Sequence, residues 1–278
     1  MDELLDLIHA DNSARVITSN YFKGGVGKTK LLTIFAYLLN KKNIRTLFID
    51  TDLQATLTKD LEKTFEIPSA RFNFYEAIQK GNLKQAIVNL TPNLDLISGS
   101  FEMMKLPKYT RSFSFEKETT LLKNLIEPLK QDYDFIFIDT IPTPSVYTNN
   151  SIVASDYVII PIQAEEESYN NVENYISYLI DLQEQFNPAL DIIGIVPYLM
   201  DSQSTTNRFY LDKLYSDFKE EDFIFKNYIK RSNRIGTWAR NGITENKSYD
   251  KKILTMYNKI LEETIQRILE LENEKRGV

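Results

Sequence analysis

One junction constrains this chain more than any other: a strand runs directly into a glycine-rich turn and then into a helix. Arg15 to Phe22 reads as a buried strand, and Thr29 to Asn40 carries helical periodicity. Between them lies Lys23-Gly24-Gly25-Val26-Gly27-Lys28-Thr29. Glycines at 24, 25 and 27 let successive backbone N–H groups turn inward around the oxygens of an anion. The helix that follows points its positive end at the same place. Lys28 is placed to reach β- and γ-phosphates, and the Thr29 hydroxyl to bind Mg²⁺. The general phosphate-loop pattern, Gly-x-x-x-x-Gly-Lys-Ser/Thr, is met at Gly27-Lys28-Thr29, but its first glycine falls on Phe22. Lys23 is a second lysine beside a loop already served by Lys28. It either stands solvated or projects away from its own phosphates towards a nucleotide held by another subunit.

The rest of the chain repeats the alternation. Short apolar runs at Arg45–Asp50, Asn93–Ile97, Asp134–Asp139, Tyr157–Ile162 and Ile192–Tyr198 read as strands. Helical spacing appears over Lys117–Leu129, from Val172 to Ile180, and from Ile253 to Ile268. Continuous apolar strands separated by amphipathic helices predict an α/β fold: a mainly parallel, twisted sheet with helices on both faces. No linker or repeat divides the sequence, so residues 1–278 read as a single domain. Residues 1–14 form a short N-terminal extension with no room for a helix-turn-helix domain. Gly99–Glu116 is the least regular stretch and reads as a mobile loop.

Three acids stand where a phosphoryl-transfer site needs them. Asp139 and Asp50 end apolar runs, and Asp52 follows two residues later, with Gln54 beyond it. Ligands of such sheets bind past the carboxyl ends of the strands. Asp139 is placed to hold Mg²⁺ directly or through a water, Asp50 is a further candidate at the metal, and Asp52 is the candidate for orienting the attacking water. Composition removes competing chemistries. The absence of cysteine excludes disulfides, thiolate-bound clusters and cysteine nucleophiles. The lone histidine, His9, argues against histidine-based metal sites and triads and reads as a surface or packing residue. No run approaches the ~20 apolar residues of a membrane helix, and the acidic N-terminus lacks a signal-peptide pattern.

Taken together these residues resemble the ParA/MinD family of deviant Walker ATPases. The family's Lys-Gly-Gly-x-Gly-Lys-Thr is met by residues 23–29, its Asp-x-Asp-x-Gln by Asp50, Asp52 and Gln54, and its Tyr-Asp-x-Ile-x-Ile-Asp-Thr by Tyr133 to Thr140. The stretch 154–163, the run Ile-Lys-Arg-Ser-Asn-Arg-Ile at 229–235, and Arg240-Asn241-Gly242 also look like the family. Gln163-Ala164-Glu165-Glu166-Glu167-Ser168 is similar to the delta-type plasmid partition ATPases of Gram-positive bacteria. The resemblance implies an ATP- and Mg²⁺-dependent ATPase of slow intrinsic turnover. Its nucleotide site would be Lys23 to Lys30, with Lys23, Lys28 and Asp52 in catalysis, Asp50 setting switch geometry and Lys23 crossing an ATP-sandwiched homodimer. The sequence departs from the family pattern at Lys30 (usually threonine), Leu53 (usually proline), Ile141 (where a proline is common) and Lys230 (often proline near the adenine pocket).

The branch of the family turns on charge. The whole chain is −6, yet Phe223–Thr244 has no acid and carries Lys226, Lys230, Arg231, Arg234 and Arg240. Bases on one face would contact DNA phosphates without reading sequence. The same bases also read as a solvated loop or as facing the nucleotide. The resemblance favours nonspecific DNA binding, a cytoplasmic and nucleoid-associated protein, and a small centromere-binding partner of the ribbon-helix-helix kind that stimulates hydrolysis. The alternative is a MinD-like membrane-positioning ATPase. That needs a basic amphipathic terminal helix, whereas here the last helix carries Glu262, Glu263, Glu270, Glu272 and Glu274, so no membrane partner is expected.

Overall fold

The structure, a computed structural model, describes residues 4, 8, 13–67, 74–201, 203–219 and 222–277. His9 lies outside them. In chain order the elements are β1 (Arg15–Ser19), α1 (Lys28–Lys41), β2 (Thr46–Asp50), α2 (Thr56–Phe65), α3 (Phe74–Lys80), β3 (Ile87–Thr91), β4 (Leu94–Ile97), α4 (Leu106–Thr110), α5 (Phe115–Thr119), α6 (Leu121–Ile126), β5 (Phe135–Asp139), α7 (Val146–Val153), β6 (Tyr157–Gln163), α8 (Glu166–Asn170), α9 (Val172–Phe186), β7 (Asp191–Tyr198), α10 (Thr205–Asp217), α11 (Asn233–Asn241) and α12 (Ser248–Arg276).

The described strands form one sheet in the order β3-β4-β2-β5-β1-β6-β7. Every neighbouring pair is parallel except the edge pair β3 and β4. The mainly parallel α/β sheet expected from the apolar runs is present. β5 shows why both faces are covered. Phe135 and Phe137 join Phe48 and Phe35 in one core cluster, while Ile136 and Ile138 join Val16, Leu47 and Ile49 in another. β6 alternates likewise, with Tyr157 and Ile159 on the first side and Val158, Ile160 and Ile162 packed against α9. A strand apolar on both faces leaves two surfaces to bury, and the crossover helices bury them. α1 and the long α12 cover the first face through Leu31, Phe35, Tyr257, Ile260, Leu261 and Ile265.

Two expectations are corrected. Gly99–Glu116 contains a 3₁₀ turn at Phe101–Lys105, then α4 and the start of α5. Met103, Leu106 and Thr110 are buried there, and the Tyr147 hydroxyl donates to the Met103 carbonyl at 2.8 Å. The pieces are too short for a 3.6-residue period to register. The single helix read over Lys117–Leu129 is broken into α5, α6 and a 3₁₀ turn at Glu127–Asp132. Asn150 causes the first break: its Oδ1 accepts the Leu122 N–H at 2.9 Å and its Nδ2 donates to the Glu118 carbonyl at 2.7 Å. A side chain inserted into the ladder interrupts a helix. Pro128, lacking an N–H, sits at the start of the 3₁₀ turn.

Candidate functional site

Three parallel strands bring the chemistry to one edge. Ser19, Asp139 and Asp50 are register partners at the carboxyl ends of β1, β5 and β2. The glycine loop leaves β1 at this edge. Gly25 and Gly27 take φ values of 77° and 96°, the left-handed region. Gly27 has a second reason to be glycine, since a Cβ there would run into the ring of Tyr198. Tyr198 is held in turn by a hydroxyl–hydroxyl hydrogen bond to Tyr257. Val26 turns its side chain into the core. α1 begins at Lys28 with Gly27 as its cap, so no side chain occupies its first free N–H donors. Those donors are what an anion would meet.

Phe22, at the position of the missing first glycine, packs edge-on to Tyr175 at 4.7 Å and against Tyr178 at 5.1 Å between ring centres. The departure from the general pattern therefore fills a hydrophobic slot beside α9. The Tyr175 hydroxyl donates to Asn20 Oδ1 at 2.8 Å and fixes the root of the loop.

The two lysines of the loop diverge. Lys28 folds over its own loop, donating to the carbonyls of Lys23 at 2.9 Å and Tyr21 at 3.2 Å. Burial pushes its ammonium down to about 8, against the pull of Asp139 and Asp52. Lys23 leaves the loop and pairs with Glu165 and with Glu167, the latter at 2.6 Å. Burial works against its charge, but the two carboxylates outweigh that, and it titrates above the ordinary lysine value. Lys30 is taken by Asp60 of α2, so its side chain serves a helix–helix contact, and only its backbone N–H remains for a phosphate.

The carboxylates divide by what they already bind. Thr29 Oγ1 donates to Asp139 Oδ2 at 2.8 Å, while Asp139 Oδ1 is buried without a partner. Burial, with Asp50 beside it, pushes Asp139 well above the usual carboxylate range. An orphaned carboxylate oxygen next to a threonine hydroxyl fits a hydrated or directly bound divalent cation. Asp50 has no such free oxygen: Oδ1 accepts the Asp52 N–H at 3.0 Å, and Oδ2 accepts the Thr58 N–H at 2.9 Å and hydroxyl at 2.8 Å. Burial lifts it to about 6. Both its oxygens accept hydrogen bonds from the protein, and through the Asp52 N–H it supports the loop that carries Asp52. Asp52 itself is half-buried, and among the described residues its carboxylate accepts only the Gln54 N–H, at 2.9 Å.

The basic window separates in space. Lys226, Lys230, Arg231 and Arg240 are exposed. Arg234 is not one of them: its guanidinium grips the fully buried Asp250 at 2.6 Å and donates to Thr244 Oγ1 at 2.8 Å. Acids from outside the window also reach its bases and backbone. Glu263 of α12 accepts the backbone N–H groups of Lys226 at 2.7 Å and Asn227 at 3.0 Å, and Asp222 lies 3.8 Å from the Lys226 ammonium. α11, which carries Arg240, packs on α2 just past Asp52. Lys63 donates to the Ala239 carbonyl at 2.9 Å, and Thr64 Oγ1 accepts the Ile243 N–H at 3.3 Å. Sequence reasoning missed Thr58, Glu165, Glu167 and Glu263 as working residues. Only the Glu165–Glu167 run carried a signal, through its family likeness. Among the described residues no helix is long and apolar enough to cross a membrane.

A family model described as an AAA domain matches residues 14–192. The chain is 29% identical over 231 residues to the chromosome partitioning protein ParA of Myxococcus xanthus, covering 80% of this chain and 77% of that one. A plasmid partition protein from Borrelia burgdorferi bound to AMPPNP superposes with a TM-score of 0.74 at 28% identity, over 91% of this chain and 99% of that one. Cobyrinic acid a,c-diamide synthase from Mycobacterium smegmatis, with bound ADP and magnesium, gives a TM-score of 0.68 at 25% identity, over 83% of this chain and 92% of that one.

Proposed function

This chain belongs to the AAA domain family in its ParA/MinD-type branch, and on that premise we propose that it is a partition ATPase, one domain that dimerises around ATP, holds DNA nonspecifically and is reset by hydrolysis. The observation that carries this reading is the divergence of Lys23 and Lys28 from one loop. Lys28 covers its own anion site, whereas Lys23 points out of it and pairs with the two acids Glu165 and Glu167. A second copy carrying a nucleotide offers Lys23 a stronger anion than either glutamate.

The residues fit ATP and Mg²⁺. Backbone N–H groups from Gly24 to Lys30 and the Lys28 ammonium take the phosphates. Thr29 and the free oxygen of Asp139 would hold the metal, directly or through water, and Mg²⁺ bound there would supply charge neutralisation for phosphoryl transfer. Asp52 orients the attacking water at the mouth of the site. None of these groups is a strong base, so positioning does most of the chemistry and unstimulated turnover is slow.

DNA contact falls to Lys226, Lys230, Arg231 and Arg240, with Arg234 holding the scaffold beneath them. Two such patches in a dimer add by avidity. A small centromere-binding protein of the ribbon-helix-helix kind supplies sequence recognition and stimulates hydrolysis. The protein then works in the cytoplasm, on the nucleoid. The MinD-like alternative finds no support in α12, whose apolar stripe is spent on the core. Retention on DNA and co-sedimentation with anionic liposomes, each with and without ATP and Mg²⁺, test the reading. ATP-dependent DNA retention without liposome binding is the expected result; liposome binding without DNA retention overturns it.

A further inference from the structure

Asp50 and Asp139 end neighbouring parallel strands in register, so two buried carboxylates stand side by side at the nucleotide edge. Strand position alone does not distinguish them. The difference is made eight residues after Asp50, by Thr58 in the first turn of α2. Its backbone N–H and its hydroxyl both donate to Asp50 Oδ2, at 2.9 and 2.8 Å. The same hydroxyl accepts the Gly99 N–H at 2.9 Å. A hydroxyl is donor and acceptor at once, and this buried one uses both capacities. Gly99 closes the socket from the other side. A Cβ there would lie 2.8 Å from both Asp50 Cγ and the Asp52 carbonyl oxygen. The remaining Asp50 oxygen carries the Asp52 N–H. Asp52 therefore hangs from Asp50, and Asp50 is clamped by Thr58 and Gly99.

We propose that Thr58 is a positioning residue for hydrolysis: its hydroxyl, braced by Gly99, turns Asp50 away from the metal and sets the main chain that presents Asp52. The proposal rests on the ATPase reading above. Removing the hydroxyl leaves a buried N–H of Gly99 and part of a buried carboxylate without partners. Asp50 is then free to swing away from α2, and the Asp52 turn loosens. Thr58 makes its hydrogen bonds to Asp50 and Gly99 and not to the glycine loop, where the phosphates are proposed to bind.

Thr58→Val, which keeps the shape, and Thr58→Ser, which keeps the hydroxyl, test this. With Val we expect kcat for Mg-ATP to fall about 10- to 100-fold, with affinity for a fluorescent ATP analogue within about 2-fold of wild type. With Ser, kcat returns to within about 3-fold of wild type. Amide hydrogen exchange at Asp52 and Gly99, which needs no turnover, should quicken in the Val variant and recover in the Ser variant. If Val prevents folding, Gly99→Ala presses on the same socket from the opposite side and should show the same loss of kcat with retained nucleotide binding. The proposal is overturned if the Val variant turns over normally, if Ser is as slow as Val, or if nucleotide affinity falls in step with kcat. A wild-type protein that does not hydrolyse Mg-ATP would sink the ATPase reading instead, and the exchange measurement would still judge the socket.

Discussion

Arg234 closes on Asp250 with Nε 2.6 Å from Oδ1, tying the first turn of α11 to the first turn of α12. Asp250 is fully buried; burial alone would raise it, but Arg234, Thr244 and the Lys247 N–H outweigh burial and hold it below the usual carboxylate range. Removing the guanidinium strands that carboxylate. Arg234→Ala should lower the melting temperature by roughly 5–10 °C at neutral pH. The sign of the pH dependence follows from a depressed folded value: the contribution is present above the unfolded aspartate value of about 3.9 and is lost as pH falls through the folded one. Melting curves of wild type and variant should therefore converge as pH falls below the unfolded aspartate value. A constant gap across that range would mean that the loss comes from packing and not from the ion pair.

The exposed bases predict the opposite phenotype. Replacing Lys230, Arg231 and Arg240 by Ala should leave melting temperature and ATP binding almost unchanged while weakening DNA retention. The slope of log affinity against log salt should shrink by about 1 for each DNA phosphate that no longer meets a base. Filter retention across a salt series measures this. An intact slope in the triple variant would move the DNA surface elsewhere.

These two predictions mark where sequence stops being sufficient. The apolar runs, the glycine loop and the acids at strand ends are legible because each is a local pattern with a local cause. Burial on both faces of a parallel strand forces unbroken apolar runs, and phosphate binding forces glycines ahead of a helix. Arg234 and Arg231 look alike in sequence, and only the packing of α12 brings Asp250 to one and leaves the other in solvent. Asn150 breaks a helix from 28 residues away by taking the Leu122 N–H. Asp50 reads as a metal candidate from its place at a strand end, and nothing local shows that Thr58 also donates to its carboxylate. For Arg234 and Asn150 the deciding partner comes from another element, and for Asp50 it comes from the first turn of α2.

Asp52 provides a sharper chemical test than the loop lysines, because its carboxylate supports little of the fold. It accepts one short-range bond, from the Gln54 N–H. Asp52→Ala should bind ATP with near wild-type affinity and lose turnover by about 100-fold or more. Single-turnover hydrolysis beside equilibrium nucleotide binding separates the two effects. Normal turnover would remove Asp52 from the mechanism.

Lys23 decides whether the site is completed by a second copy. In the single chain its ammonium rests on Glu165 and Glu167, so it contributes nothing to its own anion site, and Lys23→Ala should leave ATP binding by the monomer within about 3-fold of wild type. Both glutamates remain partly exposed, and ion pairs of that kind are worth only about 0–1 kcal/mol, so they hold Lys23 weakly enough for a nucleotide phosphate to take it. The loss should appear in assembly instead. Sedimentation velocity with ATP, Mg²⁺ and the Asp52→Ala background, which prevents turnover, should show dimer with Lys23 present and monomer with alanine. Lys23→Arg keeps the charge but presents a planar fork in place of a point charge, and should restore dimer only in part. If the alanine variant dimerises as well as its parent, Lys23 is a surface lysine paired with two acids, and the ATP-gated dimer loses its main support.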